Sequence, residues 1–217
     1  MKKISVIAFV LSTGLAVSAQ NTFSPTFGIK AGLNLAQFRT NNFPAGTEPD
    51  ASWKKSASGG IFMNAPLGTG GLAIQPELLY SRQGSKIKQT TTVGTITQTS
   101  EYDQDLSYIT LPIMLQWKTP GGVFLETGPQ PGYLIKGKQD GPGSNEADNK
   151  SSFDNFDLSW GAGIGYFSKM GLGIGARYNY GLTNTIEDGG GNNSANNGPE
   201  LKNSVVQVGL SWRFGKK

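Results

Sequence analysis

The sequence predicts an all-β protein, an eight-stranded antiparallel up-and-down transmembrane β-barrel. Three observations predict it. Apolar and polar residues alternate with a period of two through eight segments. The connections between those segments are alternately long and short. Aromatic residues fall into two bands near the segment ends. A barrel wall in lipid needs the first pattern, since its strands show apolar side chains outward and polar ones inward. Outer-membrane barrels also carry short turns on one side and longer loops on the other.

Composition narrows the field. Glycine accounts for 31 of 217 residues, about twice the usual share of ~7%, without a collagen period. The chain has no Cys and no His. That removes disulfides, thiolate chemistry, imidazole metal ligands and any Ser-His-Asp machinery. No cofactor, metal site or catalytic residue is expected, and an enzyme is not. The formal charge is +4. Two of the basic residues, Lys2 and Lys3, lie in the leading segment, and the rest nearly balance the 15 acidic ones. No basic cluster points to nucleic acid.

Met1 to Ala19 reads as a cleavable export signal. Lys2 and Lys3 give a positive start, Ile4 to Val17 an apolar run, and Val17-Ser18-Ala19 small residues at the cleavage positions. No later segment has the ~18 consecutive apolar residues of a spanning helix. Residues 20–26 are a short lead, 27–214 the barrel, and 215–217 a tail.

The last strand, Val205 to Phe214, sets Val206, Val208, Leu210, Trp212 and Phe214 against Gln207, Gly209, Ser211 and Arg213. Gly171 to Thr183 opposes Leu172, Ile174, Ala176, Tyr178 and Tyr180 to Arg177 and Asn179. Phe156 to Tyr166 turns Trp160, Ile164 and Tyr166 one way and glycines the other. Phe27 to Phe38, Leu72 to Arg82 and Tyr108 to Trp117 follow the same rule. Ser56 to Pro66 and Val123 to Ile135 are less regular. Short turns are expected at Leu67–Gly71, Thr119–Gly122 and Ser168–Gly171. Long loops are expected at Thr40–Lys55, Gly84–Asp105, Gly137–Asn155 and Asn184–Lys202.

With no amphipathic helix to cover the apolar faces, lipid is their simplest partner, and in hydrocarbon the sheet must close. Eight strands leave an interior that side chains can fill. Lys30, Glu77, Glu126, Arg177 and Arg213 should fill it as paired charges, together with Gln75, Gln116, Gln130, Asn179 and Gln207. Phe27, Trp117, Tyr166, Trp212 and Phe214 form the band at the short-turn end; Tyr80, Tyr133, Phe156 and Tyr180 form the other. Such bands sit at headgroup level. Pro129 and Pro131 lack N–H donors on one seam, where a bulge or weakened pairing is expected. Asp140, Glu146, Asp148 and Asp154 in the third loop lack the spacing of an EF-hand. Paired glycines in Gly163-Ile164-Gly165 and Gly173-Ile174-Gly175 precede no helix, so a dinucleotide fingerprint is rejected.

The chain resembles the small outer-membrane β-barrel proteins of Bacteroidetes, porin-like or PorT-like in type. The resemblance rests on Pro76-Glu77-Leu78-Leu79-Tyr80 with Gly84, Tyr108-Ile109-Thr110-Leu111-Pro112 and Gly128-Pro129-Gln130-Pro131-Gly132-Tyr133-Leu134. Gly161-Ala162-Gly163-Ile164-Gly165-Tyr166 and Arg177-Tyr178-Asn179-Tyr180-Gly181-Leu182 add to it. It implies an eight-stranded barrel in the outer membrane of a Gram-negative cell and no catalytic residues. The chain departs from many such barrels in ending Gly215-Lys216-Lys217 after Phe214. The partners expected are outer-membrane lipid, the barrel-assembly machinery and an unidentified extracellular ligand or envelope protein, around a monomer. The functions in play are a non-enzymatic surface barrel, a narrow pore or accessory of protein secretion, and a soluble lipocalin-like binder.

Overall fold

The computed structural model describes residues 24–42, 49–93, 96–141, 147–186 and 200–215. The export signal, most of the lead, Glu146, the Asp188–Asn197 tract and the final two lysines lie outside these residues. In chain order the strands are β1 (Thr26–Asn41), β2 (Asp50–Ser52), β3 (Lys54–Pro66), β4 (Leu72–Val93), β5 (Ile96–Thr110) and β6 (Ile113–Lys118). They continue with β7 (Val123–Asp140), β8 (Ala147–Asp148), β9 (Phe156–Phe167), β10 (Leu172–Gly181) and β11 (Glu200–Arg213).

Eight staves close into a ring. β1 pairs with β3 on one side and with β11 on the other. The ring then runs β11–β10–β9–β7, on to β5 and β6, and back through β4 to β3, always antiparallel. Among the described residues each of the eight staves is paired on both sides, as hydrocarbon requires. The alternation falls as lipid exposure demands. Leu33, Ile61, Ile164, Ile174 and Leu210 point out, with Leu210 65% exposed, while Asn34, Glu77, Gln116 and Arg177 point in. Among the described residues no helix is long and apolar enough to cross a membrane.

The three short turns form where expected. Thr119 and Val123 bracket one (N to O 2.8 Å), Ser168 and Leu172 another (2.7 Å), and Leu67 and Leu72 the third (2.8 Å). Gly71, Gly122 and Gly171 close them with φ of 80°, 92° and 87°, a region where a Cβ would be strained.

The long loops are shorter than the composition suggests. Gly84–Asp105, expected as a loop, is a paired hairpin: β4 runs to Val93 and β5 starts at Ile96, with Thr90 opposite Thr99 and Val93 opposite Ile96. β1 reaches Asn41 and β7 reaches Asp140. Lys150–Ser152 makes a 3₁₀ turn, and Phe153 bridges to Ile186. The wall therefore rises well beyond the outer aromatic band.

Tyr108 to Trp117, expected as one strand, breaks at Leu111-Pro112 into β5 and β6, though both keep β4 and β7 as neighbours. Proline is the cause. A residue in an antiparallel strand aims its N–H and C=O at the same neighbour. Pro112 O accepts from Glu77 N (2.9 Å) and Pro131 O from Leu111 N (2.8 Å). Each of these prolines therefore withholds a donor from the partner it accepts from. Pro129, two residues from Pro131, faces the same seam, and a bulge follows between Ser107 and Tyr108. Strand β7 itself stays in register against β9 throughout.

Candidate functional site

The lumen is the first place to look for chemistry, and its contents stack in layers. Nearest the short turns, Phe62, Phe124 and Phe167 meet ring to ring, Phe124 and Phe167 with centroids 5.3 Å apart. Each follows an outward apolar residue: Ile61-Phe62, Val123-Phe124 and Tyr166-Phe167. Such doublets place apolar groups on both faces of a strand. They are the signal that composition and the two-residue period left unread.

Above the rings sits the ionic centre. Glu77 accepts from Arg177 Nη1 and Nη2 (3.0 and 2.7 Å), from Gln75 Nε2 (2.8 Å) and from Lys30 Nζ (3.3 Å). Glu126 accepts from Arg177 Nε (2.7 Å) and Gln116 Nε2 (2.8 Å). Strands β1, β4, β7 and β10 deliver these charges, and inward glycines clear the space. A Cβ at Gly163 would stand 3.1 Å from Glu126 Oε1, and one at Gly161 3.4 Å from Arg177 Cδ. Two cations face two carboxylates, and Arg177 is 2% exposed. Such a centre is neutral as a whole, and each charge is held by charge-assisted hydrogen bonds.

Asn64 extends the network, donating to Gln75 and Gln116 (both 2.9 Å) and accepting from Lys118. Gln207 donates to Asn34 and Ser58. Arg213 lies apart: its guanidinium sits 3.9 Å over the Phe167 ring, and its Nε and Nη2 have no hydrogen-bond partner among the described residues. Gln130 and Asn179 are buried, each with a side-chain oxygen that has no partner among the described residues. A cavity of ≈ 20 Å³ between Lys30, Glu126, Arg177 and the phenylalanines has room for about one water.

Higher still, Phe38, Ile87, Leu106, Tyr108, Leu134, Phe153 and Leu201 form an apolar cluster inside the upper wall. Sequence reasoning missed it because these residues lie in the segments read as loops or at their edges. Among the described residues no group of three or more Asp and Glu is placed to hold a metal ion.

The aromatic bands face outward. Phe27, Trp117, Tyr166, Trp212 and Phe214 are each about half exposed toward the short-turn end, and Trp212 and Phe214 touch at 5.9 Å. At the other end Tyr80, Ile109, Tyr133 and Phe156 lie side by side in one row across β4, β5, β7 and β9, with Tyr180 outward on β10.

The chain is similar to solved structures at low identity. Neisserial surface protein A is 13% identical, with TM-score 0.51, covering 88% of this chain and 99% of that one. OprG from Pseudomonas aeruginosa is 12% identical (TM-score 0.49, 90% and 98% covered). The attachment invasion locus protein Ail of Yersinia pestis, solved with the heparin analogue sucrose octasulfate, is 13% identical (0.49, 88% and 99%). No curated protein matches the chain. Residues 18–187 match the outer membrane protein beta-barrel domain, most of the chain's length, and the protein belongs to that outer-membrane family.

Proposed function

We propose that the protein is a sealed, non-enzymatic barrel that works through the outer face of its wall and loops, in binding, adhesion or envelope support. The observation that carries this reading is the filled lumen: a ring cluster, a neutral ionic centre and an apolar cluster follow one another along the axis. Among the described residues these three layers occupy the lumen, and eight strands leave width for side chains alone. The PorT-like type, export through the Met1 to Ala19 signal, insertion by the assembly machinery as a monomer, and a Gram-negative source belong to the same reading.

Planar-bilayer recording tests it. The purified folded protein should insert without stable current steps. Reproducible single-channel steps would refute the sealed barrel and favour a narrow pore or a secretion accessory.

A further inference from the structure

One buried carboxylate in the lumen has no cation beside it. Asp157 is 4% exposed and points inward from β9. Its Oδ1 accepts from Thr183 Oγ1 (3.2 Å), and the Asn203 side chain also hydrogen-bonds to it. Both partners are neutral. Among the described residues no lysine or arginine forms an ion pair with Asp157. The ionic centre offers it nothing, since the two cations and two carboxylates there already balance. Asp157 also stands higher: the inward positions of β9 run Asp157, Ser159, Gly161 and then Gly163, which lies opposite Glu126.

The surroundings of Asp157 are oxygens that lack donors. Asp157 lies opposite Gly132, and Gly132 opposite Thr110, so one row carries Thr110, a bare glycine and Asp157. A Cβ on Gly132 would stand 3.3 Å from Thr110 Cγ2 and 3.5 Å from Tyr108 Cδ1. Those two side chains therefore line the space that the glycine leaves. Asn203 reaches the same place from β11, its Nδ2 3.5 Å from the Tyr108 hydroxyl. Gln130 is one inward step below Gly132. Thr110 Oγ1, Asn203 Oδ1 and Gln130 Oε1 are all buried without a hydrogen-bond partner among the described residues. Immediately above, Tyr108, Leu134 and Leu201 begin the apolar cluster.

A charge held in such surroundings must be neutralised or paired. A proton on Asp157 would cancel the charge and give a donor to one oxygen, leaving two of the three unsatisfied. A water would bring donors and no charge. A cation answers both needs at once. One carboxylate among neutral oxygens matches a single positive charge, whereas calcium sites draw on several carboxylates. We propose that Asp157, Asn203, Thr110 and Gln130 bind an alkali-metal cation inside the barrel, between the ionic centre and the apolar cluster. The proposal concerns the lumen and is independent of what the outer face binds.

The test uses the full folded chain in phosphatidylcholine vesicles, unfolded by urea in sodium chloride, potassium chloride or N-methylglucamine chloride at equal ionic strength. At least one alkali salt should raise the parent's midpoint by roughly 1 M over N-methylglucamine, the mass-action gain for an ion at about a hundred times its dissociation constant. Asp157→Asn keeps the shape and loses the charge, and its midpoint should not distinguish the salts. Asp154→Asn, at an exposed carboxylate, should keep the parent's response. Thr110→Val removes one oxygen and should need more salt for the same rise. An unchanged heat-modifiability shift verifies that the variants fold. Crystals of the parent soaked in rubidium chloride should show anomalous scattering beside Asp157. A parent midpoint indifferent to the cation overturns the proposal, as does an equal salt response in Asp157→Asn or a rubidium-soaked crystal without that scattering. So does a protonated-carboxyl infrared band in the parent at neutral pH that Asp157→Asn removes, since a proton then neutralises the site.

Discussion

Replacing Glu77 by Gln removes one charge from the ionic centre and almost no volume. Arg177 loses half of its charge-assisted fork, and Lys30 loses its carboxylate. Arg177 and Lys30 then share Glu126 alone, leaving one buried positive charge uncompensated. Breaking a buried pair in this way costs about 3–5 kcal/mol. The Lys30 side chain is 17% exposed, and the cavity beside it admits about one water, so the lower end applies. With a urea slope of about 2 kcal/mol per molar, the unfolding midpoint should fall by roughly 1.5 M. Tryptophan fluorescence of the protein in vesicles, checked by a heat-modifiability gel, follows the transition. Lys30→Met in the Glu77→Gln background restores neutrality and should recover most of the loss. A Glu77→Gln midpoint equal to the parent's, or no recovery in the double variant, would refute the charge-balance argument.

Other outcomes follow from the wall. Leu210→Arg puts a charge on the most lipid-exposed part of β11 and should cost about 2–4 kcal/mol, whereas Leu182→Arg, beyond Tyr180, should cost about 0–1 kcal/mol. Equal effects in reversible unfolding would mean that depth in the bilayer does not govern this face. Pro131→Ala supplies a donor toward Leu111 O. The restored bond contributes about 1–3 kcal/mol in place of an unsatisfied carbonyl, against about 0.4–1 kcal/mol for the freer unfolded chain. The variant should therefore be more stable; lower stability would show that the carbonyl is satisfied in another way.

The barrel was legible in sequence because lipid imposes a strict rhythm: Leu172, Ile174 and Tyr178 outward against Arg177 and Asn179 admit one phase only. The central charges were legible for the same reason, since Glu77 and Arg177 stood on the inward phase of long regular strands. Where lipid ends, the rhythm relaxes. The Gln89–Thr99 stretch has a loop's polarity, yet its threonines and Val93 are β-branched and pair across a hairpin; branching outweighed polarity there. Pro112 sat unread within a regular apolar alternation because the period of two counts side chains and ignores donors. Arg213 shared the inward phase but lies beside Phe167, at the ring layer and away from the carboxylates. Phase fixes the face, and height along the axis decides the neighbours.

One of the two longest continuous registers in the ring joins the first stave to the last, from Gly28 opposite Arg213 to Asn41 opposite Glu200. Half of β1's bonding capacity thus waits for residues made much later in synthesis. Until then two bare edges exist, and each is a template for another strand. The chain must be shielded as a whole in transit, and a copy cut short before Glu200 would enter the membrane as an open, self-associating sheet or not at all.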